Sequence, residues 1–401
     1  MTAGAAAALR RGHPWVYATQ VTGGLRERSP GDVVTVHDEA GRALGPAIVD
    51  PGSPLAARLW GLDPTRTLDA AFIAARVERA IAVRDLLIDA TTTTALRWVH
   101  GEGDRCPGLV LDRYADVAVM RLDGAAMETW AERIAEAIFP LLQARGVRSL
   151  VGRVVERVSE RGGERGGERG GARPETPKIR PLRGDAPADV VTVREHGVPF
   201  VVDLARGQKT GAFLDQRDNR VRVGRLARGR RVLNLFSYAG GFSLHAALGG
   251  ALSCTSVDVA AGAHATAQRS FQLAGVPLEP HAFVTADVWQ FLERAKARGE
   301  RWDLVISDPP NMAPNEASRA RAISAYEKLH AACADVLADG GVLCAASCSS
   351  HVRLDDFLGT LDDRALAGRD LRVVEIAGAG VDHPVLPAFP EGRYLKFCVL
   401  T

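Results

Sequence analysis

Short apolar runs alternate with segments of helical periodicity along the chain from residue 231 onward. Runs rich in β-branched residues predict strands, and apolar residues spaced three or four positions apart predict helices. The predicted elements are strand 231–236, helix 241–249, strand 254–259, helix 262–274, strand 282–286, helix 287–298, strand 302–307, helix 318–338 and strand 342–347. This alternation predicts a mostly parallel sheet with helices on both faces. Two closing segments, 371–376 and 394–400, lack an intervening helix and predict an antiparallel edge strand.

The beginning of the chain has a different pattern. Residues 10–67 contain short β-type runs separated by turn signals, a spacing that predicts a small barrel. From Leu68 to about Asp89 the pattern becomes helical. The apolar face of this helix consists of Ile73, Val77, Ile81 and Ile88. A domain boundary is therefore expected after residue 67.

The middle of the chain predicts a second small unit. A hairpin at 109–111 and 117–122, a helix near 127–144 and a strand near 148–155 form an α+β pattern. A further hairpin, 190–193 with 200–204, precedes the alternating region. The predicted fold class is thus α/β. Its domains are expected to be a barrel at 1–67, an α+β domain at 68–189 and an α/β domain with a mostly parallel sheet at 190–401.

Residues 161–173 form a repeat, RGGERGGERGGAR, inside the middle domain. The repeat has no side chain large enough to build a core, so we interpret it as a flexible surface insertion. Arg-Gly-Gly repeats can also follow a nucleic-acid backbone. Glu164 and Glu168 offset half of its four arginines, which disfavours that role.

Composition limits the classes of protein to consider. Apolar residues make up 46% of the 401 residues and charged residues 24%, which is typical of a globular protein. The net charge of +2 is too small to indicate a nucleic-acid binder by itself. The six cysteines are scattered without a CxxC pair, so we expect reduced thiols in the cytoplasm and no metal site. No apolar run reaches the roughly 18 residues of a membrane span.

The ends of the first three predicted strands of the α/β region carry candidate cofactor residues. The first strand runs into Ser237-Tyr238-Ala239-Gly240-Gly241 and then a helix, where open α/β sheets bind nucleotide-like ligands. The G-x-G-x-x-G fingerprint is absent, which disfavours a dehydrogenase. Asp258 could accept both hydroxyls of a ribose, and Asp287 could accept from an adenine amino group. Each aspartate could instead cap a helix.

The fourth and fifth strands end in candidate catalytic residues. Asp308-Pro309-Pro310 places a carboxylate on a chain segment that two prolines make rigid. Asn311 follows where an enzyme that methylates exocyclic amines usually has an aromatic residue, so amine methylation is disfavoured. Cys348 lies among hydroxyl residues at the mouth of the same cleft, and we interpret it as a nucleophile rather than a core cysteine.

The segment that precedes the first strand of the sheet is a further candidate. Residues 206–211 superficially resemble a phosphate-binding loop but fail its spacing. Two interpretations remain open, closure over the cofactor and a packing role. The cofactor-binding candidates here are Gln208, Lys209, Thr210, Asp215, Gln216 and Arg217.

Taken with their spacing, these motifs resemble class I S-adenosylmethionine-dependent methyltransferases of large-subunit ribosomal RNA that modify cytosine C5. The resemblance covers nearly the whole chain. The matching motifs are RGHPWVY, GEGDRCPGLVLDRY, GQKTGAFLDQRDNR, NLFSYAGGFS, DPP, SCS, DHPV and YLK. Two departures are Asn311, where relatives often carry lysine, and the insertion at 161–173.

The resemblance implies a PUA barrel, an α+β middle domain and a Rossmann-like methyltransferase domain. It implies that residues 236–240, Asp258 and Asp287 hold S-adenosylmethionine, beginning with Phe236. Asp308 would line the base pocket, and Cys348 would be the nucleophile that adds to the pyrimidine. Ribosomal RNA is the implied partner, and a homodimer is a candidate assembly. No membrane is expected as a partner.

Two other functions remain open from the sequence. One is methylation of a different atom, such as guanine N7 or an exocyclic amine, with a structural role for Cys348. The other is a non-catalytic RNA-binding protein that retains a vestigial sheet domain.

Overall fold

The computed structural model describes residues 1–153, 179–366 and 368–401. The chain forms two compact units. The first comprises residues 1–86, 95–191 and 202–212, and the second comprises 87–94, 192–201 and 213–401. The repeat at 161–173 lies outside the described residues, and the domain boundaries expected from the sequence stay predictions.

The first unit begins with a four-stranded antiparallel sheet. Its elements are α1 (Ala3–Arg10), β1 (Trp15–Tyr17), β2 (Val33–His37), β3 (Ala43–Val49) and β4 (Leu55–Leu59). The strands lie in the order β1-β4-β3-β2, with all pairs antiparallel. Ala6 and Leu9 of α1 pack into the same core as Val16, Val36 and Ala47. The sequence predicted the short strands but not the helix.

A five-stranded sheet with three helices follows in the first unit. The elements are α2 (Ala70–Leu87), β5 (Ala95–His100), β6 (Leu109–Tyr114), β7 (Val117–Leu122), α3 (Ala125–Glu128), α4 (Ala131–Gln143), β8 (Ser149–Arg153) and β9 (Ile179–Gly184). The strands lie in chain order, and the β7–β8 pair is parallel while the others are antiparallel. Ile73, Val77 and Ile81 are buried, which confirms the predicted face of α2 as far as Ile81. Ile88 is half-buried and lies outside the helix, because α2 ends at Leu87. The helix predicted near 127–144 is divided into α3 and α4.

A hairpin of β10 (Val190–Glu195) and β11 (Val198–Asp203) follows. Its turn at His196 and Gly197 has positive φ at both residues, which is typical of a two-residue hairpin connection. The structure therefore shows the hairpin that the sequence predicted.

The second unit is built on a seven-stranded sheet. Its strands are β12 (Arg231–Leu235), β13 (Ser253–Asp258), β14 (Ala282–Thr285), β15 (Trp302–Ser307), β16 (Leu337–Ser347), β17 (Val373–Ala377) and β18 (Lys396–Leu400). Its helices are α5 (Arg217–Leu226), α6 (Gly241–Leu248), α7 (Ala261–Leu273), α8 (Val288–Ala297), α9 (Arg319–Asp335) and α10 (Leu354–Gly359). The strand order is β14-β13-β12-β15-β16-β18-β17, and β18 is antiparallel to both neighbours.

This topology determines where a ligand can bind. The strand order reverses between β12 and β15, which are parallel neighbours at the centre of the sheet. Open α/β sheets bind ligands at the carboxyl ends of the strands beside such a reversal. The loops that begin at residues 236, 259, 308 and 348 follow those strand ends and therefore gather at one edge of the sheet.

The end of the sheet differs in detail from the sequence prediction. Strand β16 begins at Leu337 rather than 342, because Leu337 pairs with Trp302 and the register shifts before Val342 pairs with Leu304. Residues 339–341, which suggest a turn, lie within this irregular strand, where Gly340 has a φ of +67°. The predicted antiparallel finish is confirmed, with β17 rather than β18 at the edge. Among the described residues, no helix combines the length and apolar character that a membrane span requires.

Candidate active site

The turn between β12 and α6 has an unusual backbone conformation. Phe236, Tyr238 and Gly240 all have positive φ, at 56°, 45° and 71°. A Cβ at Gly240 would lie 2.8 Å from the Cβ of Ala267, so a side chain does not fit there. Such a turn leaves a concave backbone surface at the end of the central strand, where a ligand can approach closely.

Asp258 joins this turn to the end of the next strand. Its Oδ2 accepts a hydrogen bond from the Tyr238 amide at 2.8 Å, and its Oδ1 accepts from the Ala260 amide at 2.9 Å. A carboxylate has about four acceptor sites, so each oxygen retains capacity for another donor. Asp258 is half-buried at the expected strand end and can accept the two hydroxyls of a ribose.

Asp287 performs the alternative role that the sequence left open. Its side chain caps α8 by accepting a hydrogen bond from the Gln290 amide at 3.0 Å. The residue is exposed, and the contact with an adenine stays a prediction.

Asp308 follows β15 in an unusual electrostatic environment. Burial and the negative charge of Asp215 raise the pKa of Asp308 to about 7, against the opposing effects of Gln216 and Arg220. The carboxyl group is therefore partly protonated at neutral pH and can either donate or accept a hydrogen bond. Two predicted site residues, Asp215 and Gln216, are thus close enough to Asp308 to affect its titration.

The segment that holds Asp215 and Gln216 contains a buried oxygen atom that accepts no hydrogen bond from the described residues. Tyr394 donates a hydrogen bond to Asp215 Oδ2 at 2.7 Å. Asp215 Oδ1 is buried and has no hydrogen-bond partner among the described residues, whereas the Gln216 side chain interacts with Asp308. Since buried polar groups are normally paired, Asp215 Oδ1 is suited to contact a bound ligand. Arg217 instead pairs with Asp382 at 2.7 Å, and a cofactor contact for it stays a prediction.

Cys348 follows β16 and is the half-buried member of the six cysteines, whereas the other five are buried. Its Sγ lies 3.9 Å from the carbonyl oxygen of Pro309, within the Asp308-Pro309-Pro310 segment. The structure thus brings the predicted nucleophile next to the predicted base-pocket loop.

Ser349 fixes the two loops to each other. Its Oγ accepts from the amides of Met312 at 3.1 Å and Ala313 at 3.3 Å and donates to Asn311 Oδ1 at 3.0 Å. The Tyr326 hydroxyl lies 3.1 Å from the same Oγ. Asn311 is therefore tied to the cysteine loop, and the sequence did not assign Ser349 this role.

Lys396 is a further residue that the sequence did not single out. It is the first residue of β18, is 4% exposed, and donates to the carbonyl of Ser349 at 2.6 Å. The YLK motif, which contains both Tyr394 and Lys396, was the available signal. A lysine at the start of a strand is normally expected at the surface, which explains why the pattern alone did not reveal that Lys396 is buried.

The remaining candidates, Gln208, Lys209 and Thr210, lie in the first unit. Thr210 is buried, its hydroxyl donates to Asp112 Oδ2 at 2.5 Å, and the Tyr114 hydroxyl lies 2.9 Å from it. Gln208 and Lys209 are exposed. These contacts give Thr210 a packing role, and cofactor binding by the three residues stays a prediction.

Comparison with known proteins gives two matching family profiles. A profile described as S-adenosylmethionine-dependent methyltransferase matches residues 173–389, and one described as a PUA-like domain matches residues 1–61. A ribosomal RNA large subunit methyltransferase of Deinococcus radiodurans is 40% identical over 393 residues, covering 97% of this chain and 93% of that protein. Ribosomal RNA large subunit methyltransferase I of Cronobacter sakazakii is 32% identical over 389 residues, covering 97% and 95%.

Solved structures have the same fold. A methyltransferase in complex with SAH has a TM-score of 0.85 and 22% identity, covering 100% of this chain and 98% of that one. An S-adenosylmethionine-dependent methyltransferase from Streptococcus mutans has a TM-score of 0.84 and 21% identity, covering 100% and 99%. At these identities the likeness concerns the fold alone.

Proposed function

This chain belongs to the family of S-adenosylmethionine-dependent methyltransferases, and from that membership we propose that it methylates C5 of a cytosine in large-subunit ribosomal RNA. The proposal depends on the proximity of Cys348 to the loop that begins with Asp308. The Cys348 Sγ lies 3.9 Å from the carbonyl oxygen of Pro309 in that loop. A half-buried thiol and a carboxyl with a raised pKa at one sheet edge suit covalent activation of a pyrimidine.

The residues at the sheet edge fit the methyl donor. When bound, S-adenosylmethionine supplies an electrophilic methyl group. We assign Asp258 to its ribose hydroxyls, because each carboxylate oxygen keeps one unused acceptor site. The turn from Phe236 to Gly240, including Ser237, Tyr238 and Ala239, provides the backbone surface against the donor. Asp287, exposed at the start of α8, is assigned to the adenine amino group.

Cys348 performs the first chemical task. Carbon 5 of cytosine is a poor nucleophile, so the Cys348 thiolate adds to carbon 6 and makes carbon 5 electron-rich. Carbon 5 then takes the methyl group. A base removes the proton from carbon 5, the bond to sulfur breaks, and the thiolate is released.

Asp308 stabilises the adduct. Nucleophilic addition at carbon 6 increases the electron density on ring nitrogen 3, and a protonated Asp308 can donate a hydrogen bond to that nitrogen. Its pKa of about 7 keeps a substantial protonated fraction available at neutral pH. Asp215 Oδ1, which is buried without a partner among the described residues, and Gln216, which interacts with Asp308, are candidates to contact the base.

The proposed substrate class rests on the relatives and on the first unit. Two relatives are named as methyltransferases of the ribosomal RNA large subunit. The PUA-like match at residues 1–61 adds a candidate RNA-binding module. A cytosine in a loop or single strand is the expected target, because unstacking it costs less than in a duplex.

The direct test is to compare ribosomal RNA from a deletion strain with that of its parent. Nucleoside mass spectrometry and site mapping should show one 5-methylcytidine in the large-subunit RNA that disappears in the deletion strain and returns with the plasmid-borne gene. Loss of a methylated guanine or of an exocyclic N-methyl group instead would replace the cytosine assignment with another methylated atom.

A further inference from the structure

Lys396 places a buried positive charge against the loop that carries Cys348. It lies directly opposite Ser347, the residue before Cys348, in the antiparallel β16–β18 ladder. Its Nζ donates to the carbonyl oxygens of Ser349 at 2.6 Å, Val352 at 2.8 Å and Tyr394 at 2.8 Å. An ammonium group has three donors, so these bonds use its full capacity. The lysine therefore binds the cysteine loop from both ends.

Burying this ammonium has an electrostatic cost that neighbouring groups reduce. Burial lowers the pKa of Lys396 to about 8, and interactions with Cys348, Asp356 and Cys398 oppose that decrease. Hydrogen bonds to backbone carbonyl oxygens do not require a charged group, since a neutral donor could also form them. A cation that is kept buried beside a half-exposed thiol suggests that the charge itself is used.

The charged and titratable groups around Cys348 come from several elements. Tyr326 on α9 and Lys396 on β18 interact with Cys348 itself, Asp308 after β15 interacts with Tyr326, and Asp356 on α10 and Cys398 on β18 interact with Lys396. Of these five groups, Lys396 is the cation, and the others are neutral or acidic. Ionisation of the thiol is thus favoured by Lys396 and disfavoured by the acidic groups.

We propose that Lys396 is a positioning residue for Cys348, whose buried ammonium holds the 348–352 loop and stabilises the thiolate form of the cysteine. The attraction between two charges is mutual, so the interaction by which Cys348 stabilises the lysine ammonium also stabilises the thiolate. This inference rests on the proposed function for its purpose. Its test contains neither RNA nor methyl donor, so its outcome is independent of the methylation assay.

The first measurement is the pH dependence of iodoacetamide labelling at Cys348, followed by peptide mass spectrometry. The other five cysteines are buried, and burial raises the pKa of Cys398 to about 11, so labelling below pH 9 reports on Cys348. In Lys396→Met the labelling midpoint should rise by about one pH unit, which is about a tenfold slower rate at pH 7. Lys396→Arg should restore most of the rate, because it keeps the charge.

The matched control is Lys328→Met, which removes the same charge from an exposed position of α9. It should leave the labelling profile unchanged. A folded Lys396→Met protein with the wild-type labelling midpoint would overturn the proposal, because the lysine would then act as a loop tie alone.

A second measurement avoids changing the lysine. The chain has five lysines, so isotopically labelled lysine gives few NMR signals, and Lys396→Arg assigns the buried one. In Cys348→Ala the titration midpoint of Lys396 should fall by at least about half a pH unit relative to the wild type, because the thiolate no longer stabilises the ammonium. Identical midpoints would contradict the proposal even if Lys396→Met does not fold.

Discussion

Asp308 shows how the structure changes the chemistry of a residue that the sequence could identify only by position. The strand alternation and the DPP motif predict a carboxylate at the cleft. They do not predict that desolvation and the negative charge of nearby Asp215 raise its pKa to about 7. That proximity requires two segments separated by more than 90 residues to meet, and no local pattern encodes it.

Replacing Asp308 with asparagine should stabilise the protein in a pH-dependent way. Folding raises the pKa of Asp308 from 3.8 to about 7, so the wild type loses stability as the pH rises from about 4 to 7, where the carboxyl ionises in the unfolded chain but stays protonated in the folded one. Asp308→Asn should therefore raise the Tm by several degrees at pH 8. The gain should decrease as the pH falls from 7 towards 4. Thermal melts across this range, with the exposed Asp339→Asn as control, test the prediction. A gain of equal size at pH 5 and pH 8 would contradict it.

The same residue should affect the pH profile of methyl transfer. If protonated Asp308 supports the adduct, the rate should decline as pH rises through about 7, because the hydrogen-bond donor is lost. Asp308→Asn should retain a donor but remove this decline, with a lower maximum rate. Single-turnover rates from pH 6 to 9 provide the measurement. An unchanged alkaline limb in the variant would assign that limb to another group.

At the scale of elements, the turn between β12 and α6 was located correctly from small residues after a buried strand. The positive φ values of Phe236 and Tyr238 were not foreseeable, since bulky residues rarely adopt that conformation. The Asp339-Gly340-Gly341 segment was predicted to be a turn, but it lies within a strand. Its composition is typical of a turn, but pairing of Leu337 with Trp302 extends β16 across it as a bulge.

Two substitutions can distinguish the steric effect of Ala267 at Gly240 from the effect of backbone strain alone. Gly240 and Gly229 have nearly equal φ values, 71° and 70°, but a Cβ at Gly229 would meet nothing within 4 Å. Gly229→Ala should cost about 1 kcal/mol of stability from the backbone alone. Gly240→Ala should cost more and should weaken S-adenosylmethionine binding at least about tenfold, because Ala267 must shift the turn. Denaturant unfolding and calorimetry test this, and equal effects of the two variants would contradict it.

The buried hydroxyl of Thr210 distinguishes the two roles that the sequence left open for its segment. Thr210→Val leaves Asp112 without one donor and should cost about 1–3 kcal/mol of stability. S-adenosylmethionine affinity should change little under conditions where the variant is folded. Thr91→Val, at an exposed hydroxyl, is the control. Lost affinity with unchanged stability would instead favour a cofactor role.

At the scale of the whole molecule, the sequence revealed the alternating α/β region, the hairpin before it and the antiparallel finish. It could not reveal the order in which strands assemble, because β18 inserts between β16 and β17 through contacts distant in the chain. The sequence correctly predicted that Cys348 and Asp308 lie at one edge of the sheet, because both follow parallel strands. It did not predict the roles of Lys396 and Ser349. Their roles depend on tertiary hydrogen bonds rather than on a local pattern.

The net charge of +2 and the family membership lead to different expectations about the partner. A nearly neutral chain gives little attraction for RNA by bulk electrostatics. Recognition of a ribosomal RNA substrate would therefore depend on local surfaces and on the extruded base rather than on overall charge.

The central claim is that the Cys348 sulfur bonds to the target cytosine, and trapping that bond tests it most directly. The wild-type enzyme should be incubated with S-adenosylmethionine and target RNA containing 5-azacytidine at the methylated position. Denaturing gels should show a protein–RNA adduct, and peptide mass spectrometry should place it on Cys348. Cys348→Ala should form no adduct and transfer no methyl group while still binding the cofactor. Full methylation by Cys348→Ala, or an adduct on another residue, would contradict the account.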